Sequence, residues 1–174
     1  IHFTIASALS AGFKIDQSVA HNGCCLTVVA QNEKEHVVTA IQETLLKTNL
    51  GSWQVGSKIN IERCMQLGGR LDGHMVQGHV DCIGTCTEVI DENGSWRFTF
   101  EHPNSYVTVE KGSITVNGTS LTVVDSQKGR FSVCIIPFTY EHTNFKQIEV
   151  GMQVNLEFDI IGKYVARYLG LQQV

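Results

Sequence analysis

Two stretches of the chain gather small hydroxyl and thiol side chains in one pattern. Ser18, Cys25 and Thr27 lie in SVAHNGCCLTVV (residues 18–29), and Ser113, Thr115, Ser120 and Thr122 lie in SITVNGTSLTVV (residues 113–124). In each, an Asn-Gly pair separates alternating apolar runs. That is the strongest short-range signal for a β-hairpin with a two-residue loop, because both residues tolerate positive φ. The loop sets the register: Ser18 faces Thr27, Val19 faces Leu26, Ala20 faces Cys25 and His21 faces Cys24. Side chains alternate between the faces of a strand. Val19 and Leu26 therefore share a core face, while Ser18, Ala20, Cys25 and Thr27 share the other. Ser113, Thr115, Ser120 and Thr122 form the equivalent face, opposite Ile114 and Leu121.

A shelf of small hydroxyls beside an apolar barrel mouth suits a flat heteroaromatic ligand, which needs close approach and a few oriented hydrogen bonds. A solvated sheet face also carries Ser and Thr, but it more often shows Lys or Glu than two adjacent cysteines. Cys25 could attack as a thiolate, yet nothing adjacent is basic enough to activate it, and a small polar wall residue is the better reading. Cys24 points to the core face. His74 and His79 are spaced as a weak metal pair without a third ligand, and His74 reads as structural. His21, beside the turn, reads as a packing or solvated residue. Gly68-Gly69 and Gly73 do not open a strand–helix phosphate motif, which excludes nucleotide binding of that kind.

The elements that must position these groups follow from an internal repeat. Seven of the twelve letters in the two hairpins are identical, and the second begins 95 positions after the first. The same offset relates Phe3-Thr4 to Phe98-Thr99, Thr48-Asn49 to Thr143-Asn144, Val55-Gly56 to Val150-Gly151, and Asn60 and Glu62 to Asn155 and Glu157. A fixed offset without gaps implies two copies of one domain. The first spans residues 1–77 and the second 78–159, followed by a helix over 160–174. Short strands with Gly/Asn punctuation predict a small barrel or sandwich in each copy. The second copy has a lead-in, GHVDCIGTCTEVIDENGS (78–95), with no counterpart in the first. The expectation is that about 20 residues carrying the first strand precede Ile1. IQETLLKTNL (41–50) has helical letters. Ile161, Tyr164, Val165, Tyr168 and Leu169 form a wide apolar helical stripe that needs a partner.

The chain's 174 residues carry a net charge of −4, 43% hydrophobic and 17% charged residues. This is a globular composition with nothing that calls for nucleic acid or an anionic membrane. No apolar run approaches the roughly 20 residues of a membrane span. The six cysteines match no zinc spacing and read as reduced thiols of a cytoplasmic protein.

The paired V-x-x-N-G-x-x-L-T-V motifs, IERCMQLGGRLDGHMVQGHVD joining the copies, and IIPFTYEHTNF in the second copy resemble the lumazine-binding-repeat family. The resemblance covers the whole chain, and the joining motif is its most specific part. It implies an all-β fold of two tandem six-stranded Greek-key barrels plus a C-terminal amphipathic helix. Each barrel would bind one 6,7-dimethyl-8-ribityllumazine. It further implies a transferase that moves a four-carbon unit between two such molecules. The products are riboflavin and 5-amino-6-ribitylamino-pyrimidinedione, in the last step of riboflavin biosynthesis, with no cofactor and no metal. A homotrimer held by the C-terminal helix, with lumazine synthase as a further partner, belongs to the same expectation. A non-catalytic antenna protein that only holds a lumazine or flavin is the alternative on the same fold.

Carried over position by position, the resemblance assigns catalytic roles to Ser18, His79, Cys25 and Asp159. Ser18 would activate a nucleophile at ring carbon C7, with His79 as proton relay. Substrate contacts would come from Thr27, Ile41 and Thr44 in the first copy. In the second they would come from Lys111, Asn117, Ser120, Thr122, Ile136 and Thr139. Lys111 also reads as a solvated strand-edge lysine. Many members carry Asp where this chain has Asn117. An amide cannot act as a base, so Asn117 would fix its hairpin or hydrogen-bond a ligand.

Overall fold

The computed structural model describes residues 1–66 and 68–170. Five strands form the first copy: β1 (His2–Ala6), β2 (Ser18–His21), β3 (Cys24–Gln31), β4 (Glu35–Thr39) and β5 (Ile61–Arg63). Six form the second: β6 (Cys82–Asp91), β7 (Trp96–Glu101), β8 (Ser113–Val116), β9 (Thr119–Gln127), β10 (Arg130–Ile135) and β11 (Gln153–Phe158). The second set closes into a barrel in the order β7-β10-β9-β8-β11-β6, all antiparallel. The first set repeats that order as β1-β4-β3-β2-β5. Among the described residues no strand lies between β1 and β5, where β6 bridges their counterparts β7 and β11.

Each copy adds a short helix at the same place, α1 (Gln42–Lys47) and α2 (Pro137–His142). The first was foreshadowed by its helical letters; the second starts on Pro137, whose fixed φ suits a first helical turn. Thr48 and Thr143 end these helices alike, donating to the Thr44 and Thr139 carbonyls at 2.6 and 2.7 Å. A third helix, α3 (Ile160–Tyr168), follows β11. The expected helix over 160–174 is described to residue 170, and 171–174 lie outside the described residues.

The hairpin registers are those a two-residue loop dictates, Ser18↔Thr27 and Ala20↔Cys25 in one copy, Ser113↔Thr122 and Thr115↔Ser120 in the other. Asn22, Gly23, Asn117 and Gly118 all take positive φ (45°, 75°, 45° and 82°). The two turns meet back to back. A Cβ on Gly23 would stand 2.7 Å from the Gly118 nitrogen, and one on Gly118 2.8 Å from the Gly23 nitrogen.

Around this contact six asparagines, paired across the repeat as 22/117, 49/144 and 60/155, close a hydrogen-bonded seam. Asn22 and Asn117 donate their backbone N–H to the carbonyls of Asn60 and Asn155, both at 2.9 Å. Their Oδ1 atoms accept in return from the N–H of Asn60 and Asn155 (2.8 and 2.9 Å). The cross-links use both ends of an amide. Asn60 Nδ2 donates to the Asn117 carbonyl at 2.8 Å while its Oδ1 accepts from Asn144 N at 2.8 Å. Asn155 Nδ2 donates to the Asn22 carbonyl at 2.9 Å while its Oδ1 accepts from Asn49 N at 2.7 Å.

The cores differ where the seam does not reach. The second is built on fully buried Phe98, Phe100, Phe131 and Phe145 with aliphatic neighbours. The first holds an imidazole pair, His21 and His36, at the positions of Val116 and Phe131; all four side chains are fully buried. His21 Nδ1 lies 3.0 Å from the Val19 carbonyl and can only donate there. His21 Nε2 is then an acceptor for His36 Nε2–H at 2.8 Å, which leaves His36 Nδ1 to accept the Ser10 hydroxyl at 2.8 Å. Adding a proton to either ring removes an acceptor from this chain.

Two stability experiments follow. Replacing Asn155 by Asp removes the donor to the Asn22 carbonyl and buries a charge, and should cost about 3 kcal/mol by denaturant titration. Asn117→Asp also buries a charge but keeps the acceptor that Asn155 N uses and gives up only a 3.5 Å contact to Asn144, so it should cost less; equal losses would refute the seam's division of roles. The second concerns acid. Burial lowers the pKa of His21 to about 4, with the neighbouring His36 adding to the effect, and burial lowers that of His36 as well. The unfolded chain therefore takes up protons below its ordinary histidine value of ~6.5, while the folded first core resists until about pH 4. Stability is intact above that upper value and falls as pH drops toward the lower one. Trp53, packed on the first core, should report unfolding before Trp96 on the second in single-tryptophan variants, and His21→Val should narrow the difference.

Candidate active site

The shelf of the first copy stands on β2 and β3. Ser18 and Cys25 are half-buried and Thr27 is exposed, while Val19, His21, Cys24 and Leu26 on the opposite face are buried. β5 pairs beside β2 with Ala20 opposite Glu62, which brings Glu62 onto the shelf side. Cys64 Sγ donates to the Ser18 carbonyl at 3.1 Å. Ile41, exposed, precedes α1, and Thr44 lies half-buried within it. Thr44, Gly78 and His79 share a cavity of about 200 Å³ with Cys24, Lys47 and Val80. Thr44 and His79 are thus brought together, whereas Ser18 and Thr27 stand on the shelf and do not line this cavity.

The segment joining the copies passes between the two shelves. On one side Cys25 N–H donates to the Gly78 carbonyl at 2.7 Å, and Gly78, with φ +77°, leaves no room for a Cβ, which would sit 2.8 Å from Cys25 Cβ. On the other side Gly73 packs so closely on Ser120 that a Cβ would meet its Oγ at 2.5 Å. The next residue, His74, lies against the second shelf. Its backbone N–H donates to Ser120 Oγ at 3.3 Å and its Nδ1 is 2.8 Å from the same oxygen, while Thr115 Oγ1 stands 3.1 Å from Nε2. The Ser120 hydroxyl accepts from the backbone, so its proton is free to donate to Nδ1. Nε2–H then donates to Thr115 Oγ1. Burial lowers the His74 pKa and so favours the neutral, accepting ring, opposed by the nearby Asp159 carboxylate. A hydroxyl donating to a neutral imidazole is the geometry that raises an alcohol's nucleophilicity or relays its proton. A cleft of about 430 Å³ is lined by Cys25, Cys64, His74 and Ser120 together with Arg63, Arg70 and Glu62.

The remaining sequence-derived positions distribute as follows. Asp159 caps α3, its Oδ1 accepting Ile161 N–H at 2.9 Å, and its charge acts on His74. Thr122 and Ile136 are exposed and Thr139 is half-buried at the start of α2. Lys111 is exposed, takes φ +64° in a turn and stands 3.9 Å from the neighbouring Glu110 carboxylate; its repeat counterpart Asp16 takes φ 67°. Asn117 is not on the shelf: its side chain is in the seam, 3% exposed. His79, expected as a proton relay, is held through its backbone N–H, and the imidazole in contact with a shelf hydroxyl is that of His74. The sequence reading took His74 as structural. Its position beside Gly73, in a segment rich in glycine between two hydroxyl shelves, is the one signal that could have pointed to it. α3 is fastened to the second barrel by Lys163, whose Nζ contacts both Asp81 carboxylate oxygens at 2.9 Å. Ile161, Tyr164, Val165, Tyr168 and Leu169 remain exposed on it. Among the described residues no cluster of metal-ligating side chains occurs, and no helix is long and apolar enough to cross a membrane.

Known proteins share this sequence and fold. The chain matches the lumazine binding domain over residues 1–64 and again over 77–159. Riboflavin synthase of Actinobacillus pleuropneumoniae is 40% identical over 158 residues, covering 89% of this chain and 73% of that one. Riboflavin synthase of Mycobacterium bovis is 44% identical over 161 residues, covering 87% and 79%. That of Bacillus subtilis is 37% identical over 157 residues, covering 89% and 73%. Among solved structures, LumP complexed with riboflavin superposes with a TM-score of 0.82 at 20% identity, covering 90% of this chain and 87% of that one. LumP complexed with 6,7-dimethyl-8-(1'-D-ribityl) lumazine gives 0.80 at 19% identity, covering 90% and 86%.

The thiols offer a direct check on the site. Burial pushes Cys24 and Cys82 up to about 12, with the neighbouring Cys25 and Asp81 charges adding to it, and burial raises Cys86. Cys64 and Cys134 are exposed and Cys25 is half-buried behind Gly78. With a thiol-reactive dye near pH 8, two groups should label at once, Cys25 more slowly, and the other three only on unfolding. Cys25 labelling ahead of Cys64 would make it an activated thiolate instead of a wall residue.

Proposed function

The chain belongs to the lumazine-binding domain family, and from that premise we propose that it catalyses the riboflavin synthase reaction. Two molecules of 6,7-dimethyl-8-ribityllumazine exchange a four-carbon unit, giving riboflavin and 5-amino-6-ribitylamino-pyrimidinedione. The observation that carries this is the 37–44% identity to riboflavin synthases across both copies of the repeat. The fold likeness to LumP is a likeness of fold alone at 19–20% identity.

The chemistry asks for two rings held face to face, loss of a proton from the C7 methyl of one, and addition of a nucleophile at C7 of the other. Holding both reactants in one geometry removes much of the entropic barrier. In our reading the first copy binds its ring at the Ser18–Cys25–Thr27 shelf and the Thr44–His79 cavity. Ser18 activates the nucleophile and His79 relays a proton. The second copy binds at Ser120, Thr122, Ile136 and Thr139, with Lys111 at the rim. There the His74–Ser120 pair supplies a second hydroxyl with a base already attached. Asp159 supports the neutral-to-charged change on His74 when it takes that proton. Asn117 acts at one remove, through the hairpin it holds.

The two rings meet between the first barrel of one subunit and the second barrel of its neighbour in a homotrimer. The exposed apolar stripe of α3, fixed in direction by Lys163, supports that assembly. The cytoplasm is the expected place of work, with lumazine synthase as a further partner.

Incubating the protein with 6,7-dimethyl-8-ribityllumazine should yield riboflavin, followed by its absorbance. Tight binding of the lumazine with no riboflavin formed would mean an antenna protein instead. Ser18→Ala should lower kcat by about 10²-fold or more, the ordinary contribution of a positioned proton-transfer group. Truncation before Ile160 should give a monomer with little activity; a fully active monomer would sink the shared site.

A further inference from the structure

Glu157 is a carboxylate buried to 2% exposure on β11, the last strand of the second barrel. Three successive backbone N–H groups of the joining segment converge on it. Gln77 donates to Oε1 at 2.7 Å, and Gly78 and His79 donate to Oε2 at 2.9 and 3.0 Å. Three consecutive amides closing on one anion form a nest, and hydrogen bonds to a charged acceptor are about twice as strong as neutral ones. Glu62, the counterpart in the first copy, pairs with Ala20 as Glu157 pairs with Thr115, yet it is exposed. The burial of Glu157 is therefore not a property of the strand position. It comes from the segment laid over it.

The same three residues are held from the first barrel as well, through Cys25 N–H to the Gly78 carbonyl at 2.7 Å. Residues 77–79 are thus clamped between a carboxylate of the second copy and an amide of the first. His79 leaves this clamp directly into the cavity that Thr44 lines. We infer that Glu157 is a positioning residue for His79: a carboxylate of the second barrel builds one wall of the ligand cavity of the first. This rests on the ligand-site reading given above. The charged and titratable groups around it are Lys163, which attracts it, and His79 on the clamped segment. Neutral His74 adjoins it through Thr115, the residue opposite Glu157 on β8.

An amide in place of the carboxylate keeps the size but turns an NH₂ toward donors that need an acceptor. In Glu157→Gln, hydrogen exchange at the amides of Gln77, Gly78 and His79 in the ligand-free full chain should accelerate at least tenfold, with the β8–β9 amides unchanged. Should that variant not fold, Glu157→Asp keeps the charge but withdraws it by one methylene, and the same acceleration is expected. Unchanged protection at 77–79 in either variant overturns the inference. Fluorescence titration with 6,7-dimethyl-8-ribityllumazine should show one of two sites weakened about tenfold and the other within twofold, the effect of losing one well-made charged contact. Equal weakening of both overturns it. In turnover, Glu157→Gln combined with His79→Gln should be no slower than His79→Gln alone, because a residue acting through another adds nothing once that other is gone. Additive losses overturn it. If the wild-type protein binds two lumazines but forms no riboflavin, the proposed reaction fails, while the exchange and titration results still decide the role of Glu157.

Discussion

The close approach of two glycines governs the molecule. Gly23 and Gly118 meet with no room for a Cβ on either, and each is held in a backbone region that other residues occupy only under strain. The turns that carry them also carry Asn22 and Asn117, whose side chains begin the seam. Buried amides are mostly hydrogen-bonded, and the side chains of Asn60 and Asn155 use both donor and acceptor, each reaching across to the other copy with both ends. The two barrels are therefore not beads on a string. Their relative position is fixed by polar groups that cannot slide without leaving an amide unpaired in the interior.

That fixed position sets where the joining segment runs. It must cross from β5 to β6 over the seam, and the two hydroxyl shelves start at the same turns. Gly73 and Gly78 let the backbone lie against Ser120 and Cys25, and the residues following each glycine, His74 and His79, become groups of the second and the first site. The copies also diverge inside. His21 and His36 replace Val116 and Phe131, so the first core depends on a directional hydrogen-bond chain where the second depends on volume alone.

What could be read from the letters was what is local. Asn-Gly between alternating runs dictated both hairpins, their registers and the assignment of Ser18, Cys25, Thr27, Ser120 and Thr122 to one kind of face. The repeat dictated two copies of one domain, because the second copy could be laid over the first. The seam was not legible, although each asparagine pair was visible as a repeat match. Nothing in a sequence says that Asn155 Nδ2 reaches the Asn22 carbonyl, 133 positions away. For Asn117 the letters leave open whether it fixes its hairpin or meets a ligand, because the partner its side chain answers to, Asn155, is set by tertiary packing. His74 was missed because its partner Ser120 lies 46 positions on, and Glu157 because three backbone amides carry no letter of their own.

The geometry also bears on why a reaction between two identical molecules is run by a duplicated chain. Within one chain the inner ends of both shelves, Ala20–Cys25 and Thr119–Ser120, open on a single cleft, and residues 70–74 and 76–78 of the joining segment line that cleft. Within it Gly73 rests on Ser120 and Gly78 on Cys25. The outer ends of the shelves, Ser18 with Thr27 and Ser113 with Thr122, lie away from the turns that meet at the seam. In the proposed trimer a ring on one outer end would meet a second ring on the barrel of a neighbouring chain. The apolar face of α3, leaving β11 through the Asp159 cap and locked to Asp81 by Lys163, is exposed, where that assembly would seat a neighbour. Duplication supplies two related shelves, the seam keeps them apart, and association between chains would bring one of each together.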